Sequence, residues 1–220
     1  MYLKELTGHE NIIRLQHIIK ADNDVDLYLT FDYMETDLHA VIRASILEPI
    51  HQKYISYQLL KALKFIHSAS LVHRDVKPSN VLINSDCGIK LCDFGLCRST
   101  LEPDGPKPVL TDYVSTRWYR AIEVLLGSFH YTNKVDMWAV GCVSGEMAIG
   151  RPVFPGTSAL NQIERVIELT GRPEKEDIDS LNSSYAATML EAIPATRPMS
   201  FVEVKPRARA RARAPHRIDA

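Results

Sequence analysis

The stretch Val72-His73-Arg74-Asp75-Val76-Lys77-Pro78-Ser79-Asn80-Val81, with Asp93-Phe94-Gly95 following twelve residues after it, constrains this chain more than any other feature. Asp75 and Asn80 are five residues apart with Pro78 between them. That gap is too short for two strands and too broken by proline for a helix, so both side chains project from one loop. Apolar runs frame the loop: Leu71-Val72 before it, Val81-Leu82-Ile83 after it, and Ile89-Lys90-Leu91-Cys92 leading into Asp93. Each reads as a short buried strand.

The side chains presented in this way suit phosphoryl transfer. A loose transition state asks for metal ions bridging the phosphates, a cation on the transferred group and a carboxylate facing the attacking hydroxyl. Asp75 is placed to accept and orient that hydroxyl, and Lys77 to neutralise charge on the phosphoryl group. Asn80 and Asp93 offer the hard oxygens that Mg²⁺ prefers. A lone Asp or His in a turn is usually a turn residue or a cap. Two motifs in order, each entered from an apolar run, point to chemistry instead. The pair H-R-D-x-x-x-x-N and D-F-G is the catalytic-loop and metal-loop signature of protein kinases, which the chain therefore resembles. Lys77-Pro78-Ser79-Asn80 is similar to the loop of serine/threonine kinases.

With 220 residues, 45% of them hydrophobic, the chain is long enough for one domain with a sizeable core. The start Met1-Tyr2-Leu3-Lys4-Glu5 does not read as a signal peptide, and no apolar run approaches a membrane span. Cys87, Cys92, Cys97 and Cys142 show no C-x-x-C spacing. They read as reduced thiols of an intracellular protein, cytoplasmic or nuclear, with a zinc site or disulfide framework as the lesser alternative. Cys92 adjoins Asp93 and is expected to line the nucleotide pocket. Of 26 cations and 27 acids, six cations and one acid lie in residues 205–220, which leaves 20 against 26 in residues 1–204, a net of −6. The alternating Arg-Ala run from Arg207 to Ala214 has no apolar face at either period and is expected to be disordered. It reads as a solvated terminus, with a nucleic-acid or acidic-partner tail as the alternative.

Met1–Leu6 reads as a helix end stopped at Gly8, followed by strands at Ile12–Leu15 and Asp26–Phe31. Pro49 opens a long helix with Ile50, Tyr54, Ile55, Leu59, Ala62, Leu63 and Ile66 inward and Lys61 and Lys64 outward. A second helix begins near Thr132, carries Val135, Trp138, Ala139 and Cys142 toward a core and ends at Gly150. A third runs from about Ser158 to Thr170.

Within the protein kinases the chain resembles the mitogen-activated protein (MAP) kinases. Thr111-Asp112-Tyr113 and the run Val114-Ser115-Thr116-Arg117-Trp118-Tyr119-Arg120-Ala121 are similar to that family's activation segment from its T-x-Y phosphorylation site onward. The stretches Tyr33–Arg43 and Gly150–Gly156 narrow the likeness to an atypical branch of the family. The resemblance covers about residues 1–193. It implies an α+β protein-kinase-like fold: an N-lobe remnant of the sheet at residues 1–33, a mostly helical partial C-lobe at 34–194 and a divergent tail at 195–220. It also implies ATP and Mg²⁺ as cofactors and protein substrates with Ser/Thr-Pro sites. Phosphates on Thr111 and Tyr113, added by an upstream kinase or by the chain itself, would be paired by Arg74, Arg98 and Arg117. Arg120 would shape the pocket for the residue after the phosphoacceptor. Adenine would meet the backbone of Asp32-Tyr33-Met34 beside Phe31 at the gatekeeper position, with Leu82 and Cys92 lining the same pocket.

The family's Gly-rich loop, its phosphate-gripping strand lysine and that lysine's glutamate partner have no counterpart here, since Lys4 and Glu5 sit too late in the chain. The likeness fades after Pro194, so Glu123 is expected to lose its buried arginine, and the helix from Thr132 to lose cover on its apolar side. Ile122 replaces a proline of the family motif. Three readings follow: an active kinase, a catalytically silent fragment that binds proteins, and a basic-tailed nucleic-acid binder. The third has no base-reading module behind it.

Overall fold

The structure, a computed structural model, describes residues 6, 8–101, 117–128, 132–194, 199–200 and 203. The chain enters along the edge of what becomes the catalytic sheet. Leu91 N–H donates to Asn11 O, and Ile13 N–H donates to Leu91 O, both at 2.9 Å. Ile12 and Ile13 are buried by this contact. Here the structure corrects the sequence reading: Ile12–Leu15 is not a strand, and only Leu15 enters β1 (Leu15–Lys20). The two isoleucines leave the hairpin because they fill the core beneath Leu91. β1 pairs antiparallel with β2 (Leu27–Phe31), with a bulge between Leu15 and His17. This hairpin exposes Ile18, Ile19, Leu27, Tyr28 and Leu29.

β3 (Thr36–Asp37) leads directly into α1 (Leu38–Ala44). Asp37 caps that helix by accepting from Ala40 N–H at 2.9 Å. α2 (Pro49–Ser68) starts at the proline, as read from sequence, behind a reciprocal Glu48–His51 cap. It buries Ile55, Gln58, Leu59, Ala62, Leu63 and Ile66 against later elements. Full burial of each aliphatic side chain stabilises by roughly 1.5–3 kcal/mol. Ile50 and Tyr54, expected inward, are exposed, because they lie roughly 100–150° around the helix from the buried stripe. Gln58 goes inside in their place. Its Oε1 accepts from Ile89 N–H and Asn11 Nδ2, and its Nε2 donates to Cys87 O.

Next come β4 (Leu71–Val72), β5 (Val81–Ile83), β6 (Ile89–Leu91) and β7 (Arg98–Ser99). β3, β5 and β6 form one antiparallel sheet, and β4 pairs with β7. The catalytic loop thus leaves β4 and enters β5, and the Asp93 loop leaves β6, as the apolar runs predicted.

The rest is helical: α3 (Ile122–Leu125), α4 (Lys134–Ile149), α5 (Ala159–Thr170), α6 (Lys175–Ser180) and α7 (Ala186–Glu191). α4 packs on α2 and on a 3₁₀ turn at Arg117–Tyr119, burying Ala139, Val140, Cys142, Val143 and Met147 in the main core, while Val135 packs with Val72 and Ala121. Cover on α4 is thinner at Met137, which is exposed, and along a cleft of about 290 Å³ lined by Trp138, Gly141, Gly145, Val153, Phe154 and Leu169. A second small core joins α5 to α7 through Leu126, Ile163, Ile167, Ala186, Leu190 and Ile193. Arg172 closes it by donating to the Leu190 and Ile193 carbonyls.

Candidate active site

The four central side chains fall into two linked loops. Asp75, Lys77 and Asn80 form one cluster. Lys77 Nζ lies 2.7 Å from Asp75 Oδ2, and Asn80 Nδ2 donates to Asp75 Oδ2 at 3.0 Å and to Asp75 O at 2.8 Å. The Pro78–Asn80 segment is a single 3₁₀ turn, which turns Asn80 back over Asp75. Asp75 and Asn80 are both buried, while Asp93 is exposed.

His73 joins the loops. It is fully buried, and burial holds its imidazole below the ordinary value and so neutral. Its Nδ1 accepts from Asp75 N–H at 3.2 Å, which leaves the proton on Nε2, donated to Cys92 O at 3.0 Å. Phe94 meets the ring edge-on at 4.8 Å. Cys92 N–H donates to Asn80 O at 2.9 Å, so the residue before Asp93 is fastened to both ends of the catalytic loop. Asp93 takes a left-handed backbone, φ 61°, with Oδ1 accepting from Gly95 N–H at 3.4 Å. The Cys92 thiol is pushed up to about 11, first by burial and then by the Asp93 charge.

Sequence reasoning missed what anchors this arrangement. Asp136 of α4 is buried; Oδ2 accepts from His73 N–H at 2.9 Å and Oδ1 from Arg74 N–H at 2.8 Å. His67 Nε2 sits 2.8 Å from the same Oδ2. Arg74 has φ 71°, a conformation that costs a non-glycine residue on the order of 1–3 kcal/mol. The Asp136 carboxylate holds it there. A carboxylate one step from Val135 on the apolar face of a helix was the available signal. Tyr119 and Glu146 were missed as well. Tyr119 O–H donates to Glu146 Oε2 at 2.7 Å, and burial raises both groups above their ordinary values.

The remaining expected residues are less closely joined. Phe31 ends β2; Asp32, Tyr33 and Met34 connect it to β3, with Tyr33 exposed and Met34 half-buried. Leu82 in β5 pairs with Asp37 and Lys90. Arg98 faces Val72 across the β4–β7 ladder, two residues before Arg74, and donates to Cys97 O at 2.7 Å. Arg117 and Arg120 flank the Arg117–Tyr119 turn, whose Trp118 donates to Gly156 O at 2.9 Å. Thr111 and Tyr113, the Arg-Ala run, and all but Leu6 of the helix end read at Met1–Leu6 lie outside the described residues; Leu6 is a buried turn residue. Glu123 is half-buried at the start of α3. All four cysteines are free thiols.

The donor set fits a magnesium nucleotide. With Asn80 Nδ2 committed to Asp75, its amide oxygen and the Asp93 carboxylate are two hard oxygens on adjoining loops that could hold Mg²⁺. No cluster of three or more His, Cys, Asp or Glu residues suited to a metal occurs among the described residues. Two protein ligands suit an ion that keeps waters and takes phosphate oxygens for the rest of its shell.

Sequence comparison agrees with this geometry. The protein kinase domain family matches residues 1–205, and the chain belongs to the protein kinase family. Within it the relatives are MAP kinases. Extracellular signal-regulated kinase 2 of Dictyostelium discoideum is 57% identical over 211 residues, 94% of this chain and 57% of the relative. Mitogen-activated protein kinase 15 of Xenopus laevis is 53% identical over 94% of this chain and 36% of the relative. Its Caenorhabditis elegans namesake is 52% identical over 88% of this chain and 43% of the relative. The chain thus spans about half the length of these relatives, or less. The family match reaches residue 205, past Pro194 where the resemblance was read to fade.

Proposed function

We propose that this chain carries the catalytic elements of a MAP-kinase-type protein serine/threonine kinase, transferring the γ-phosphate of ATP to Ser/Thr-Pro sites in protein substrates. The observation that carries the reading is the Asp75–Lys77–Asn80 cluster tied through His73 and Cys92 to Asp93. In this reading Asp75 orients the substrate hydroxyl and receives its proton, and Lys77 balances charge on the transferring group. Asn80 and Asp93 hold Mg²⁺, which when bound neutralises the phosphate oxygens. Asp32 and Met34 meet adenine through their backbone, between Phe31 and Leu82. Residues 1–33 serve as the N-lobe part, 34–194 as the C-lobe part and 195–220 as a tail. Thr111 and Tyr113 are the regulatory phosphosites, paired by Arg74, Arg98 and Arg117, and Arg120 reads the proline after the phosphoacceptor. The setting in this reading is cytoplasmic or nuclear, in keeping with the four free thiols; no described helix is long and apolar enough to cross a membrane.

A second reading, a catalytically silent form that binds other proteins, draws on the exposed apolar hairpin β1–β2 and the cleft beside α4. Single-turnover transfer of γ-phosphate from ATP·Mg²⁺ to a Ser-Pro peptide separates the two. Transfer above that of the Asp75→Asn chain supports catalysis, and indistinguishable rates leave the binding reading.

A further inference from the structure

The carboxylate of Asp32 gathers groups from three parts of the fold. Its Oδ1 accepts from Arg14 Nη2 at 3.1 Å and Nε at 3.3 Å, just before β1, and from Gln16 Nε2 at 2.9 Å within β1. Lys90 Nζ of β6 stands 3.7 Å from Oδ2 and donates to the Glu10 carbonyl at 3.1 Å. The Asp32 side chain is 22% exposed and that of Lys90 25%, so neither floats in solvent. Asp32 N–H also donates to Arg14 O at 3.3 Å. The hydrogen bond from Gln16 contributes most to holding this carboxyl below its usual range, with Arg14 next among the favourable partners.

Asp32 lies in the β2–β3 connection immediately before Tyr33 and Met34. Lys90 lies two residues before Cys92, whose N–H is bonded to Asn80 O. One side chain therefore joins the backbone assigned to adenine with the strand that ends at the metal loop. We propose that Asp32 is a positioning residue whose ion-paired carboxylate clamps the β2–β3 connection to β6 and fixes the spacing between the adenine-facing backbone and the Asn80–Asp93 end of the site. The adenine half of this statement rests on the nucleotide-binding reading above; the clamp itself does not. Partly exposed ion pairs are individually weak, but donors sharing one acceptor order each other, so the clamp is expected to act as a unit and to loosen with salt.

Amide hydrogen exchange on the nucleotide-free 220-residue chain tests the clamp, with calorimetry of ATP·Mg²⁺ as the second readout. Asp32→Ala is expected to speed exchange at the two bonded amides on either side of the clamp, that of residue 32, which donates to Arg14 O, and that of Cys92, which donates to Asn80 O, by about tenfold after correction for the intrinsic rate, because local opening sets those rates. Asp32→Asn should fall between, since it still accepts from Gln16 without attracting Lys90. Lys90→Met, on a different element, should also speed exchange at the Asp32 amide, which a merely local role for Asp32 would not produce. ATP·Mg²⁺ affinity should fall by about fivefold in Asp32→Ala, the loss expected when a binding edge is no longer preorganised. If the exchange pattern appears while the parent chain binds no nucleotide, the clamp stands and the nucleotide reading fails. If Lys90→Met leaves the Asp32 amide unchanged and Asp32→Ala leaves Cys92 unchanged, the clamp is overturned, whatever the affinity does.

Discussion

Replacing Asp136 with alanine removes the acceptor that holds the catalytic loop. The His73 and Arg74 N–H groups, bonded to the carboxylate at 2.9 and 2.8 Å, would be left without partners beneath the loop. Each orphaned buried donor costs about 1–3 kcal/mol. His67 loses its partner in the same step, and the left-handed Arg74 is no longer held. Part of that cost is recovered as Arg74 relaxes, so the net loss is expected at about 3–5 kcal/mol, the range for breaking a buried charged network. Against a typical domain stability of about 5–15 kcal/mol this is a large fraction. For a domain of this size it corresponds to a fall in Tm of roughly 6–20 °C. Asp136→Asn keeps one acceptor oxygen and should lose about half as much. Urea denaturation monitored by tryptophan fluorescence measures both variants. An Asp136→Ala chain within about 1 kcal/mol of the parent, at unchanged m-value, would refute the anchoring role.

Three further outcomes follow from the same packing. Burial raises the Glu146 carboxyl above its reference value of 4.5, so its share of stability is full below that pH and is lost as pH rises through the raised value. Glu146→Gln, which keeps an acceptor for Tyr119, should match the parent in acid and become the more stable chain by about pH 8; a pH-independent difference would contradict this. Gly156→Ala should destabilise by about 1–3 kcal/mol, because the new methyl would sit 2.5 Å from the Gln162 Cα on α5. A thermal melt equal to the parent's would show that the turn yields freely. Alkylation of Cys92, whose thiol is pushed up to about 11, should accelerate about tenfold per pH unit between roughly pH 8 and 10. A plateau near neutral pH in mass-spectrometric labelling would contradict the burial argument.

The catalytic and metal loops were legible because each sits between short apolar runs, and a short run bounded by polar residues has few ways to be buried. The helix from Pro49 was legible for a related reason: proline fixes its start and the aliphatic spacing fixes most of its face. The reading failed where polar groups do structural work. Gln58 displaced Tyr54 from the inward stripe because two backbone groups, Ile89 N–H and Cys87 O, needed a partner beneath the sheet. Asp136 has only its place on an apolar helix to mark it, since its donors come from residues 63 and 62 positions earlier. Ile12 and Ile13 looked like a strand because buried loop and buried strand share one composition, and only the contact with Leu91 decides between them.

Calorimetric titration of the 220-residue chain with ATP·Mg²⁺, repeated on Asp75→Asn and Asp93→Asn, separates the roles proposed for the two loops. No G-x-G-x-x-G segment occurs among these residues, and in the proposed reading the grip is assigned to the β2–β3 backbone with Asn80 and Asp93. A saturable, Mg²⁺-dependent dissociation constant on the order of 10⁻⁴ M is predicted, about −5 kcal/mol. Asp75→Asn should leave it nearly unchanged, because Asp75 is assigned in that reading to the substrate hydroxyl, and Asp93→Asn should weaken it and remove the Mg²⁺ dependence. Binding indifferent to Mg²⁺, or equal loss in the two variants, would contradict the roles assigned to the two loops.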